Sequence, residues 1–124
     1  MTKVENALVV SIGEIVEEEV VLLVNGVLIK CFMSYCPEKI MVGARYEVEL
    51  EMILPDSSFV VTAQETDVMV EMLGDGFSGF LYGYLDGSVF RSFVEFFDQE
   101  IHHEHPSLNG QFVKVKVDRI DVAF

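Results

Sequence analysis

The clearest pattern in the chain is that of a β-hairpin. Asn25-Gly26 separates two apolar runs, and Asn-Gly is the preferred pair for a type I′ turn between antiparallel strands. Counting outward from this turn, Val24 faces Val27, and almost every further cross-strand pair is apolar. The hairpin is therefore predicted to be covered on both faces, inside a closed barrel or between a sheet and a helix.

A second strand pattern covers residues 46–54. Apolar residues alternate there with Glu47, Glu49 and Glu51, and a period of two predicts a half-buried strand with carboxylates on one face. Because like charges on one face repel each other, we expect solvent or a basic neighbouring strand beside these glutamates.

Apolar runs on both sides of these segments predict further strands. The first covers residues 4–16, with a bend or bulge at Gly13. Two short strands are predicted at 59–63 and 68–73, between turn-rich stretches.

The last strand is predicted to cover residues 111–124. Its two apolar sets have opposite parity, so a bulge near Asp118-Arg119 would keep both of them in the core. Lys114 and Lys116 face outward in this strand, and we expect them to lie beside the three glutamates of the alternating strand.

The period changes in residues 88–102, which predict one amphipathic helix with Ser88 as its N-cap. The alternative is a hairpin turned at Asp86-Gly87, because phenylalanine and valine favour strands. Strict alternation would bury Arg91 or expose several phenylalanines, and this favours the helix. The residues on its apolar side are Val89, Phe90, Phe93, Phe97 and Ile101.

A strand broken by glycine, an Asn-Gly hairpin, a loop and then VGARYEVELEMIL together resemble the opening of small OB-type β-barrels. The resemblance covers the first half of the chain. It implies five curved strands, a helix commonly inserted after the third, and binding of oligonucleotides, oligosaccharides or protein surfaces. We therefore expect one mainly β domain, residues 1–124, built as a small OB-like antiparallel barrel, closed or partly open, with one helix at about 88–102.

Composition narrows the expected partners. The 124 residues are 51% hydrophobic, and 21 acidic against 8 basic residues give a formal net charge of -13. The electrostatic field of such an acidic protein repels nucleic acid and anionic membranes. The acidic excess favours a basic protein partner, or it serves solubility alone. The first residues show no leader pattern, and no apolar stretch approaches the length of a membrane span, so we expect a cytoplasmic protein. Cys31 and Cys36 are expected to be reduced.

The run FSGFLYGYL contains the candidate ligand-binding residues. Phe80, Tyr82 and Tyr84 alternate there with glycine or leucine, and exposed aromatic side chains on a barrel face can stack on bases or other rings. The alternative is that these rings fill the core where glycines bend the strand.

All three histidines lie close together as His102, His103 and His105. Imidazoles with the intervening glutamates could hold a metal ion. However, adjacent histidines point in different directions, and a helix C-terminus favours histidine for reasons of its dipole alone. We therefore expect no metal and no cofactor, and keep these residues as weak candidates.

No phosphate-binding loop, nucleophile elbow or local Cys-His motif is found in the sequence. We therefore expect a non-catalytic binding module that meets another protein through an acidic β-barrel surface. The alternative is binding of a single-stranded oligonucleotide, which the net charge disfavours. A metal-dependent enzyme is a third interpretation, and self-association through a strand edge is a further one.

Overall fold

A computed structural model describes residues 3–124, which are mainly β with one α-helix. Five strands pair in a ring, in the order β1-β2-β3-β11-β4, and β4 pairs back with β1. Four of these pairings are antiparallel, and β3 with β11 is parallel. The strands of the ring are β1 Val4–Ile12, β2 Glu19–Val24, β3 Val27–Tyr35, β4 Arg45–Ile53 and β11 Arg119–Ala123.

The chain between β4 and β11 forms a second, six-stranded sheet. Its order is β5-β10-β7-β8-β9, with β6 paired to one part of β7. The strands are β5 Val60–Thr62, β6 Val70–Met72, β7 Gly79–Asp86, β8 Val89–Arg91, β9 Glu95–Phe97 and β10 Phe112–Val117. The helix α1, Gln99–Glu104, and a 3-10 turn, Pro106–Leu108, lie between β9 and β10.

The predicted hairpin is confirmed as β2 and β3, with Val24 opposite Val27. Asn25 has a φ of 49° and Gly26 a φ of 78°, as a type I′ turn requires. The Asn25 side-chain amide also donates a hydrogen bond of 2.9 Å to the carbonyl of Phe93. The hairpin turn is thereby tied to the second sheet.

One hydrophobic core runs through both sheets. The inner face of the ring and the inner face of the second sheet contribute to a single cluster of buried apolar side chains. Outside that core, the aromatic side chain of Phe32 packs edge to face on that of Phe77, with centroids 5.6 Å apart. The Lys30 ammonium donates a hydrogen bond of 3.0 Å to the carbonyl of Asp75. The second sheet is therefore packed on the ring along β3 as well.

The first strand is shorter than predicted. Residues 13–16, which were predicted to continue it, do not belong to the strand. β1 ends at Ile12, and the bulge in its pairing with β2 lies between Val9 and Ser11 rather than at Gly13. A Cβ on Gly13 would lie 2.2 Å from the carbonyl oxygen of Val16. The glycine therefore permits a tight turn rather than a bend within a continuing strand.

The predicted helix over 88–102 is wrong in most of its length. Its first part is a hairpin, as in the alternative interpretation, but the turn residues are Gly87 and Ser88, because Asp86 pairs with Val89. β8 then pairs with β9 through Val89 opposite Phe97. Arg91 is not buried by this alternation, because it lies on the outer face and pairs with Asp86. Only the last part of the predicted segment is helical.

The observed helix has a different N-cap from the predicted one. The Asp98 carboxylate accepts hydrogen bonds from the backbone amides of Glu100, at 2.9 Å, and Ile101, at 3.2 Å. Ser88 contributes its carbonyl instead, which accepts from the Asp98 amide at 2.8 Å. The cap is thus placed by the strand pairing that precedes it.

Replacing Asp98 with alanine should destabilise the protein by about 1 kcal/mol, because two amides at the start of α1 lose their acceptor. Replacing Ser88 with alanine should change stability by less than about 0.5 kcal/mol, since its backbone bond remains. Urea unfolding of both variants checks this. Equal losses would contradict the observed cap.

The predicted last strand is two strands. β10 ends at Val117 in the second sheet, and β11 begins at Arg119 in the ring. The change of parity near Asp118 is therefore the point at which the chain passes from one sheet to the other, and the predicted bulge within one strand is wrong.

No helix among residues 3–124 is long and apolar enough to cross a membrane.

Candidate functional site

The three glutamates of β4 form an exposed row on the outside of the ring, which we call the acidic ladder: Glu47, Glu49 and Glu51. Val48 and Leu50 between them are buried in the core. At about 3.4 Å per residue the row spans about 14 Å. The alternating pattern in the sequence predicted this arrangement, and the structure confirms it.

The prediction that Lys114 and Lys116 lie beside the acidic ladder is wrong. Lys114 lies opposite Tyr82, and Lys116 lies opposite Phe80, in the second sheet. The strands beside the ladder are β1, which sets Asn6 opposite Glu47, and β11, which sets Asp121 directly opposite Glu51. A further carboxylate therefore occupies the position that the sequence had suggested for a lysine.

No salt bridge to the ladder is found among residues 3–124. Arg119 lies on β11, but its Nε is bound to the Asp121 carboxylate at 2.7 Å. Arg45 begins β4 and donates to the side chain of Asn6 at 3.3 Å. The charge of the ladder is thus left to solvent, although like charges on adjacent strands repel each other.

A groove opens at the Glu51 end of the ladder. It has a volume of about 270 Å³ and lies between β4 and β9. Phe97 on its β9 side is 45% exposed. The groove therefore combines carboxylates with an apolar wall, and its lining residues are Leu50, Glu51, Met52, Glu95, Phe96, Phe97 and Asp98.

The predicted ligand-binding residues Phe80, Tyr82 and Tyr84 lie together on the outer side of β7, and we call this row the aromatic face. Tyr84 is 40% exposed, and the other two rings are half-buried. Leu81 and Leu85, on the opposite side of the strand, fill the core. The three rings therefore line the surface of the sheet.

Two lysines stand among these rings. The Lys114 ammonium lies over the Phe80 ring, 4.0 Å from its centroid, and 6.0 Å from the centroid of Tyr82. Lys116 is cross-strand from Phe80. Within the part of the chain that the structure describes, neither lysine has a carboxylate within salt-bridge distance.

Arg91 also borders the aromatic face, opposite Tyr84, but its charge is already compensated. Its guanidinium binds Asp86 at 3.0 Å and also contacts the Glu95 carboxylate. A hydrogen bond from Lys3 and the charge of Arg91 hold the pKa of Glu95 below its usual value. Among residues 3–124, the cations of this face that have no salt-bridge partner are therefore the two lysines.

The structure does not bring the three histidines together. The His105 Nε2 lies 2.9 Å from the Ser58 hydroxyl, whereas His102 and His103 are exposed beside Ser88 in a shallow groove. Among residues 3–124, no group of three or more histidine, cysteine, aspartate or glutamate side chains is arranged to hold a metal ion. Residues 3–124 therefore offer no set of side chains that would support the interpretation as a metal site.

The contact between Ser58 and His105 was not predicted, because 47 residues separate the two in the chain. The Glu104 carboxylate accepts a hydrogen bond from the same hydroxyl. In a serine triad the carboxylate orients the imidazole, whereas here it contacts the serine. The three side chains therefore connect the 55–58 turn to the end of α1 and lack the arrangement of a triad.

Both cysteines are free thiols, as expected. Cys31 is fully buried in the ring, and this burial, with a smaller contribution from the charge of Asp121, raises the pKa of its thiol. The Cys36 thiol donates to the carbonyl of Glu38 at 2.8 Å. Cys31 is thus an apolar core residue.

Comparison with curated proteins gave no match, and comparison with solved structures gave none either. A family model described as "Uncharacterised conserved protein UCP019853" matches residues 3–124. Because the match covers nearly the whole chain, the chain belongs to this family.

Proposed function

We propose that this protein is a binding module without catalytic activity, which binds a basic protein on the acidic ladder. The observation that carries the proposal is the charge of Glu47, Glu49 and Glu51, none of which has a salt-bridge partner among residues 3–124. Like charges held on adjacent strands cost stability, and a cationic partner would remove that cost.

The shape of the site supports an extended basic segment. Carboxylates at every second residue match cationic side chains at every second residue of a partner strand, since both have the same repeat. The groove at the Glu51 end could take an apolar side chain next to the cations, against Phe97. The acidic net charge of the whole chain would speed the encounter.

The proposal includes an OB-type barrel as the scaffold. Its support is the ring of five strands and the resemblance of the first half of the chain. Residues 36–44, which follow the third strand, are a loop, and α1 comes later, within the second sheet. The second sheet is then a large insertion before the last barrel strand.

The proposal also includes a location in the cytoplasm, because free thiols such as those of the two cysteines stay reduced in that compartment.

A labelled peptide with lysine at every second residue tests the proposed binding. We expect saturable binding that weakens as salt is added, because the attraction is electrostatic. The triple variant Glu47→Gln, Glu49→Gln, Glu51→Gln should bind about tenfold more weakly, since each lost ion pair is worth up to about 1 kcal/mol. Fluorescence anisotropy at two salt concentrations measures both effects.

The matched control is the triple variant Glu14→Gln, Glu17→Gln, Glu18→Gln. These three side chains are exposed in the turn between β1 and β2, and their replacement changes the net charge by the same amount. Its affinity should stay within about twofold of the original. If both triple variants weaken equally, the attraction comes from net charge and the ladder is not the site.

A further inference from the structure

The aromatic face belongs to a different sheet from the acidic ladder, and it contains two lysines that have no salt-bridge partner among residues 3–124. We propose that it binds single-stranded nucleic acid, as a second activity that does not depend on the ladder. The site lies on the second sheet and not on the ring. Its residues are Phe80, Tyr82, Tyr84, Lys114 and Lys116.

The spacing of the rings fits the bases of a single strand. Phe80, Tyr82 and Tyr84 follow each other at two-residue intervals along β7, which is about 6.8 Å per step. Bases stacked on each other in a duplex are about 3.4 Å apart. Tyr82 and Tyr84 are thus spaced to take successive bases of an unstacked strand, whereas a base at Phe80 would have to displace the Lys114 ammonium from the ring. A duplex would keep its base faces hidden.

The lysines are placed to meet the phosphates. Lys114 is cross-strand from Tyr82, and Lys116 is cross-strand from Phe80, so ammonium groups and rings occupy neighbouring positions on one side of the sheet. Lys114 already lies over the Phe80 ring, and this contact orients its charge beside the stacking surface. Neither ammonium is neutralised by a carboxylate within residues 3–124.

The acidic net charge limits the ligand to a short strand. Glu71 lies cross-strand from Phe80 on β6, and its carboxylate accepts a hydrogen bond of 3.5 Å from the Tyr82 hydroxyl, so the positive charge of the site is confined to its β10 side. A long polyanion would extend beyond the two lysines and meet the repulsion of the remaining surface. Arg91 offsets Asp86 at one end of the row. The local site therefore attracts a few nucleotides, although the whole protein repels nucleic acid at long range.

Fluorescence anisotropy of a labelled, short oligothymidine at low salt tests the proposal. We expect saturable binding that an abasic strand of equal length does not reproduce, because base stacking is required. Tyr84→Leu should weaken binding at least fivefold, and Lys114→Gln with Lys116→Gln should weaken it similarly. The lysine variant should also flatten the salt dependence by about 1.4 in the slope of log K against log salt, as expected for two phosphate contacts.

The control variants are Tyr35→Leu and Lys39→Gln, which change an exposed tyrosine and an exposed lysine on the ring side of the molecule. Both should bind within twofold of the original. The Gln variant of the acidic ladder should bind at least as tightly as the original protein, so the two proposals fail separately. No saturable binding, equal binding of the abasic strand, or equal losses in the control variants would each overturn the proposal.

Discussion

Replacing Phe90 with alanine is expected to destabilise the protein by about 3–5 kcal/mol, because its ring is 1% exposed and packs in the core of the second sheet. The ring stacks on Phe96 with centroids 6.4 Å apart, and Phe96 packs edge to face on Phe93. Removing Phe90 would leave a cavity that these neighbours can only partly fill. Guanidinium unfolding followed by circular dichroism measures the loss.

Phe97 provides the matched control, since it is 45% exposed on the other side of the same hairpin. Phe97→Ala should cost less than about 1 kcal/mol. On a helix, Phe90 and Phe97 would share one face, because seven residues are two turns, and both substitutions would be costly. Similar losses at the two positions would therefore contradict the strand pairing.

Replacing Gly83 with alanine is expected to cost about 2–4 kcal/mol, because a Cβ there has no room. It would lie 2.1 Å from the carbonyl oxygen of Arg91 and 2.9 Å from the Cα of Ser92. Both are backbone atoms, so no side-chain rotation can relieve the contact, and the hairpin of β7 and β8 would have to move apart. Thermal and urea unfolding measure the effect.

Gly76→Ala is the control for this substitution. Nothing lies within 4 Å of a Cβ at Gly76, and its φ is outside the left-handed region. Alanine there should be neutral or should stabilise by up to about 1 kcal/mol, since it restricts the unfolded chain. A loss at Gly83 no larger than at Gly76 would mean that the close approach of β8 is absent in solution.

The segments that the sequence predicted well have their partners nearby in the chain. The turn at Asn25-Gly26 sets the register of β2 and β3 by itself, because two positive φ angles are required there. The alternation of β4 is likewise a property of one strand, and it predicted which side chains are buried. Local pattern is sufficient in both cases.

The helix prediction failed because the spacing of the phenylalanines is ambiguous. Phe90, Phe93 and Phe97 fit a helical face, yet the turn at residues 92–94 resets the parity between β8 and β9. Phe90 and Phe93 are thereby both buried, and Phe97 is left exposed. In the sequence, only the Asp86-Gly87 pair before this segment indicates a hairpin, and nothing indicates the change of parity at residues 92–94.

The long-range pairings could not be predicted from one sequence. Lys114 and Lys116 were expected beside the ladder because charge complementarity favours it, but the register of β10 with β7 places them among aromatic rings. The contact of Ser58 with His105 likewise joins distant segments. The rings of the aromatic face could be predicted as a row because one strand carries them, whereas their cationic neighbours could not.

The most direct test of binding on the acidic ladder is a nuclear magnetic resonance titration of the ¹⁵N-labelled protein with the alternating lysine peptide. The amide shifts should change in β4 and in β11 around Asp121, and the second sheet near Tyr84 should stay unchanged. Shift changes spread over all acidic segments, including the turn of Glu17 and Glu18, or no changes at saturating peptide, would contradict the ladder as the binding site.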